Sequence, residues 1–192
     1  MLKLKHPSTK STHTIQTDNA FPEDKIRLRK QATEHLSELN VLDVFAGNNI
    51  LWSNFDCHKY YGIEQQKGKG TNLWADNRKV LPALNLCGFN VIDLDSYGIP
   101  LTQIMQLFKN KTLQPGTVFI YTCIGNSMST LPKPALKIFG IEEMYKEVPT
   151  LFNGYGRQYF HAYLYNIGVR KVYEIEKSTP QFEKIYGYFL YK

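Results

Sequence analysis

Five acidic residues and one glycine carry most of the chemistry that this sequence offers. Asp43 stands in Val41-Leu-Asp-Val-Phe-Ala-Gly47, an apolar run that ends in a small pair, Ala46 and Gly47. Glu64 closes Tyr60-Tyr-Gly-Ile-Glu64, Asp76 follows residues 71–75, and Asp93 and Asp95 close residues 89–95. Carboxylates at strand ends line the ligand crevice of an open α/β sheet, and a glycine after the first strand lets backbone and ligand approach closely. Glu64 follows the turn at about the ~20-residue spacing of an acid that bonds ribose hydroxyls. Asn48, Asn49 and Ile50 follow Gly47, so GxGxxG is absent, and there is no GxxxxGK[ST] phosphate loop. The set suits a ligand with a ribose and an adenine but no pyrophosphate. Ordinary polar strand ends are the alternative.

The elements that must position these groups follow from periodicity and punctuation. A helix starts near Pro22, with Ile26, Leu28, Ala32, Leu36 and Leu39 loosely on one face. Residues 41–45, 60–64, 71–75, 89–95 and 117–123 read as strands. Helices are expected near 48–57, over 77–86 with Pro82 tolerated, over 101–108, within 135–146, and over 155–167 up to Gly168. Residues 169–176 and 184–191 alternate and form an antiparallel pair. The expected fold class is α/β: a Rossmann-like, doubly wound, mainly parallel seven-stranded sheet with a terminal antiparallel hairpin. Residues 1–20 read as a flexible arm and 21–192 as one domain.

Asp43-Val-Phe-Ala-Gly47, Glu64, Asp76 and Asp93-Leu-Asp-Ser-Tyr-Gly-Ile-Pro100 together resemble the class I S-adenosylmethionine-dependent methyltransferases, over roughly residues 40–125. The stretch from Asp95 to Pro100 is similar to the fourth motif of the tRNA guanine-N2 dimethyltransferases. The resemblance implies S-adenosylmethionine as cofactor, with Asp43, Ala46 and Gly47 around its methionine part. It implies Glu64 on the ribose, Asp76 and Asn77 at the adenine, and Asp93 in the cofactor site. Asp95 and Tyr97 would be catalytic, Asp95 accepting hydrogen bonds from an exocyclic amine and Tyr97 packing on the base or the cofactor. The sequence departs from the pattern twice: Asn49 replaces the second glycine of the turn, and Ser96 replaces a proline.

Composition and charge set the remaining expectations. The 192 residues are 43% hydrophobic and 21% charged, which describes a globular chain. No apolar run reaches the roughly 20 residues that span a bilayer, and Met1-Leu-Lys-Leu-Lys-His lacks a signal-peptide core, so a cytoplasmic protein is expected. A net charge of +6 favours a polyanion partner: tRNA, other RNA, or DNA. Lys25, Arg27, Arg29 and Lys30 make a candidate phosphate-facing patch. Arg157, Arg170 and Lys171 with Tyr155, Tyr159 and Tyr163 make a candidate basic-aromatic surface. Cys57, Cys87 and Cys123 read as small buried residues, and the five histidines show no metal spacing, so no metal is expected. The functional expectation is a methyltransferase acting on an exocyclic amino group of a nucleic-acid base, RNA before DNA. The alternatives are a non-catalytic module of this fold that binds nucleic acid or protein, and a small-molecule or protein methyltransferase.

Overall fold

The computed structural model describes residues 21–67, 69, 71–124, 133–152, 154–178 and 183–192, so the expected arm at 1–20 lies outside it. Seven strands form one sheet: β1 (Asn40–Asp43), β2 (Lys59–Glu64), β3 (Leu73–Trp74), β4 (Val91–Leu94), β5 (Val118–Ile124), β6 (Tyr173–Ser178) and β7 (Glu183–Leu190). The order is β3-β2-β1-β4-β5-β7-β6. The first five strands run parallel, β7 is antiparallel to β5, and β6 to β7. The expected fold class is the one observed.

The sheet separates two cores by strand parity. Leu42, Ile92 and Phe119 point to one face, where they pack with Leu81, Ile104 and Phe160. There lie α2 (Asn77–Val80), α3 (Leu101–Lys109) and α6 (Gly156–Asn166). Val41, Val91, Val118 and Ile120 point to the other face, onto Leu28, Ala32 and Trp52. This second face is covered by α1 (Pro22–Thr33). Asp43, Asp93 and Thr122 share the parity of Val41, Val91 and Ile120, so they belong to the α1 side.

Several elements are shorter than the sequence suggests. β1 stops at Asp43 rather than at residue 45. The helix expected near 48–57 is a single 3-10 turn, Trp52–Asn54. Asn49 is left-handed at φ 56. The Ser53 hydroxyl and Asn54 amide donate to Ile50 O at 2.8 Å. Such side-chain bonds compete with a helical ladder. The helix expected over 77–86 keeps only α2, because Pro82 has no N–H to continue the ladder. The helix expected within 135–146 divides into α4 (Lys133–Phe139) and α5 (Glu142–Glu147) around Gly140, left-handed at φ 63. β3 covers two residues, and β6 begins at Tyr173 rather than Val169. Of the cysteines, Cys123 is buried, Cys57 half-buried and Cys87 exposed, which corrects the expectation that all three are buried.

Candidate active site

β1, β2 and β4 end at one rim of the sheet, and a cavity of about 350 Å³ opens there. Asp43, Ala46, Gly47 and Glu64 line it from the first two strands, Asp76 and Asn77 from the start of α2, and Asp95 and Tyr97 from the end of β4. Glu64 and Asp95 thus share one cavity beside Gly47. Asp93 does not line it, being fully buried behind the rim.

The turn after β1 is shaped by two left-handed residues, Gly47 (φ 54) and Asn49 (φ 56). Asn tolerates this conformation better than any other side chain but glycine, so the first sequence departure keeps the turn's geometry. The turn remains tied to both neighbouring strands: Val44 N donates to Asp93 O at 2.9 Å and Ala46 N to Ile63 O at 3.0 Å. Gly47 N donates to Glu64 Oε2 at 3.0 Å, and Gln66 N to Glu64 Oε1 at 2.9 Å. Each carboxylate oxygen of Glu64 therefore holds one backbone N–H and keeps a second lone pair.

Asp76 caps α2, accepting from Arg78 N at 3.0 Å, and pairs with the Arg78 guanidinium at 2.9 Å. The Arg78 hydrogen bonds hold its carboxyl below the ordinary range. The Asn77 amide donates to Val44 O at 3.0 Å and accepts from Gln103 at 3.1 Å, joining the turn after β1 to α3. The Ser96 hydroxyl lies 3.1 Å from Thr122 O and 3.2 Å from Gly98 O. That hydroxyl fastens the loop after β4 to β5, where the second sequence departure removes a proline. Tyr97 is 60% exposed at the mouth.

The acids on the α1 side form a buried charge cluster. The Arg29 guanidinium meets Asp93 Oδ2 at 2.6 Å and lies 3.7 Å from Asp95. The Trp52 indole also donates to Asp93 Oδ2 at 2.6 Å. Lys25 Nζ donates to both oxygens of Asp95, at 2.9 and 2.7 Å, and the Thr122 hydroxyl donates to Asp95 Oδ1 at 2.6 Å. Asp43 accepts from Phe45 N at 3.2 Å and from the Tyr60 hydroxyl at 3.1 Å. Burial, then the neighbouring Asp93, push the Asp43 carboxyl well above its ordinary value. Burial also raises Asp93, outweighing Arg29. Burial would raise Asp95 too, but Lys25 and then Arg29 prevail and hold it low.

Sequence reasoning missed Lys25, Arg29, Trp52 and Thr122. It placed Lys25 and Arg29 in a phosphate-facing patch, yet they are 3% and 2% exposed and turn inward. The signal was available: residues 25, 28, 29 and 32 share one helical face, and two of them, Leu28 and Ala32, are apolar. Of the patch, Arg27 is exposed and pairs with Asp24 at 2.8 Å. The basic-aromatic surface does not assemble as read. Arg157 is tied to Glu174 at 2.8 Å, Glu176 at 3.3 Å and Glu183 at 3.4 Å. Tyr163 is buried, and Tyr159 packs on Phe139 and Phe152. Among the described residues no helix is long and apolar enough to cross a membrane.

No model of a protein family matches the chain, and no curated protein matches it in sequence. Solved structures do. The chain is similar to the N-methyltransferase NodS from Bradyrhizobium japonicum, with TM-score 0.54 and 12% identity over 90% of this chain and 98% of that one. NodS in complex with S-adenosyl-L-homocysteine gives TM-score 0.54 and 12% identity over 91% and 89%. A candidate methylase from Haemophilus influenzae gives TM-score 0.50 and 15% identity over 88% and 89%. The fold is therefore the Rossmann-like α/β fold of these methyltransferase structures.

Proposed function

We propose that this chain is an S-adenosylmethionine-dependent methyltransferase whose acceptor is an exocyclic amino group of a nucleic-acid base, in RNA before DNA. One observation carries the first half. The carboxylate ending β2 is anchored to the glycine turn after β1, Gly47 N to Glu64 Oε2 at 3.0 Å, on the wall of a cavity that also holds Asp76, Asn77, Asp95 and Tyr97.

The residues present fit the cofactor. Glu64 keeps one lone pair on each oxygen for a ribose diol. Asp76 and Asn77 would meet the adenine, and Asp43, Ala46 and Gly47 would surround the methionine part. When bound, the cofactor supplies a methyl group already activated by a sulfonium, so positioning and electrostatics are the work left to the protein. Asp95 accepts N–H bonds from the acceptor amine and directs its lone pair into the cavity. Tyr97 offers an exposed ring on which a base can stack. The acceptor reading rests on the Asp95–Pro100 motif and on the net charge of +6.

Calorimetry with S-adenosylhomocysteine tests the cofactor half: heat of binding is expected, and its loss in Glu64→Ala. Absence of heat from the wild-type chain at high concentration would end this reading. Transfer of labelled methyl to tRNA, bulk RNA or DNA tests the acceptor half. A second reading, a module of this fold that binds without transferring methyl, is favoured by Lys25 already resting on Asp95. Salt-sensitive nucleic-acid binding without cofactor binding would support it.

A further inference from the structure

Lys25 presents a primary ammonium to the carboxylate that the methyltransferase reading assigns to the acceptor amine. Its nitrogen donates to both oxygens of Asp95 at 2.9 and 2.7 Å and lies 5.6 Å from the centre of the Tyr186 ring. Thr122 fixes the carboxylate from β5 through the 2.6 Å bond to Oδ1. Carboxylate, ring and fixing hydroxyl make a seat for an ammonium group, and cation–π attraction adds to the ion pair. Lys25 is 3% exposed, yet it lines the same cavity as Ser96 and Tyr97. The seat therefore opens towards the cavity and not towards bulk solvent.

The filling of this seat follows from desolvation. Asp95 is half-buried, its side chain 14% exposed, and a largely desolvated carboxylate that loses a charged donor is unfavourable. A ligand that takes the position must bring a donor for Oδ2, since Thr122 still donates to Oδ1. A primary amine can reach both oxygens as Lys25 does, whereas an unprotonated ring nitrogen brings no donor. Lysine can yield the place because its ammonium sits on a flexible four-carbon stem.

We propose that Lys25 is the resting occupant of the amine seat that Asp95 and Thr122 form on the cavity wall, and that a primary amine takes the seat by displacing it. The acceptor enters by exchange with Lys25. This inference rests on the reading of the cavity as a methyltransferase site.

The test removes the occupant and offers a small substitute. Full-length K25A is titrated with n-propylammonium, with tetramethylammonium as a cation of equal charge and no N–H, while thermal unfolding and calorimetric heat are followed. A lowered midpoint that propylammonium raises again, with binding heat, is expected; tetramethylammonium is expected to do neither. Wild-type chain, its seat filled, is expected to show a smaller response. Should K25A not fold in buffer alone, its refolding yield in propylammonium against tetramethylammonium reads the same seat. Equal response to the two cations, or none to either, overturns the proposal. Propylammonium rescue of K25A beside a wild-type chain that binds no S-adenosylhomocysteine keeps the amine subsite and removes the methyl-transfer reading.

Discussion

The guanidinium of Arg29, on the first helix, lies 2.6 Å from the carboxylate of Asp93, on the central strand β4, with both side chains almost wholly out of solvent. The pair joins α1 to the middle of the sheet. Arg29→Met leaves Asp93 with the Trp52 indole as its remaining donor among the described residues, and breaking such a buried pair costs about 3–5 kcal/mol. Urea unfolding should show that loss. Arg29→Met with Asp93→Leu should recover most of it, because the uncompensated charge is gone. A single variant as stable as wild type would show that the pair does not hold the helix.

Asn49 tests the turn after β1. Its left-handed backbone (φ 56) is one that glycine adopts freely and that costs other L-residues about 1–2 kcal/mol. Asn49→Gly should remain within about 1 kcal/mol of wild type and keep cofactor binding. Asn49→Ala should lose about 1–2 kcal/mol in the same unfolding assay. The reverse order of stability would refute this account of the turn.

Gly187 on β7 faces Tyr121 on β5 in register. A Cβ at Gly187 would run into the ring and hydroxyl of Tyr121. That ring is buried, packs on Phe160 at 4.9 Å, and donates its hydroxyl to Glu174 at 2.6 Å. Gly187→Ala must displace it, at the roughly 1–3 kcal/mol typical of overpacking. A thermal midpoint that does not move would mean that the two strands separate at no cost.

Glu174 gives a pH dependence. Burial would raise its carboxyl, but hydrogen bonds from His161, Tyr121 and Arg157 prevail and bring it from 4.5 to about 2. A carboxylate whose folded value is depressed contributes stability above its unfolded value and loses it as pH falls towards the folded one. The contribution is therefore complete above about pH 4.5 and fades towards pH 2. Wild type minus Glu174→Gln, followed by urea unfolding across that window, should shrink steadily on acidification. A difference that is flat with pH would remove Glu174 from the acid response.

The parallel strands and the terminal hairpin were legible because apolar runs and alternation mark buried and half-buried strands directly. Asp43, Glu64, Asp76 and Asp95 were legible as members of one rim because each stands within or at the end of such a run. Asp93 sits off the cavity wall, held by Arg29 and Trp52 under α1, although its register neighbour Asp43 lines the cavity. The roles of Lys25 and Arg29 were hidden by their charge, although their spacing from Leu28 and Ala32 puts all four on one helical face. The helix after β1 failed because Asn49 turns left-handed and the Ser53 and Asn54 side chains bond to Ile50 O, which no periodicity reports.

The short 3-10 turn at Trp52–Asn54, in place of the expected first crossover helix, has an electrostatic corollary. A long helix at the first crossover would aim its macrodipole at the ligand, a fixed positive end that titrates with nothing. Here the potential over the cavity is set instead by ionisable side chains, some of them far from their ordinary acidities. Affinity at this site should accordingly drift with buffer acidity more than that of a relative with a full first helix.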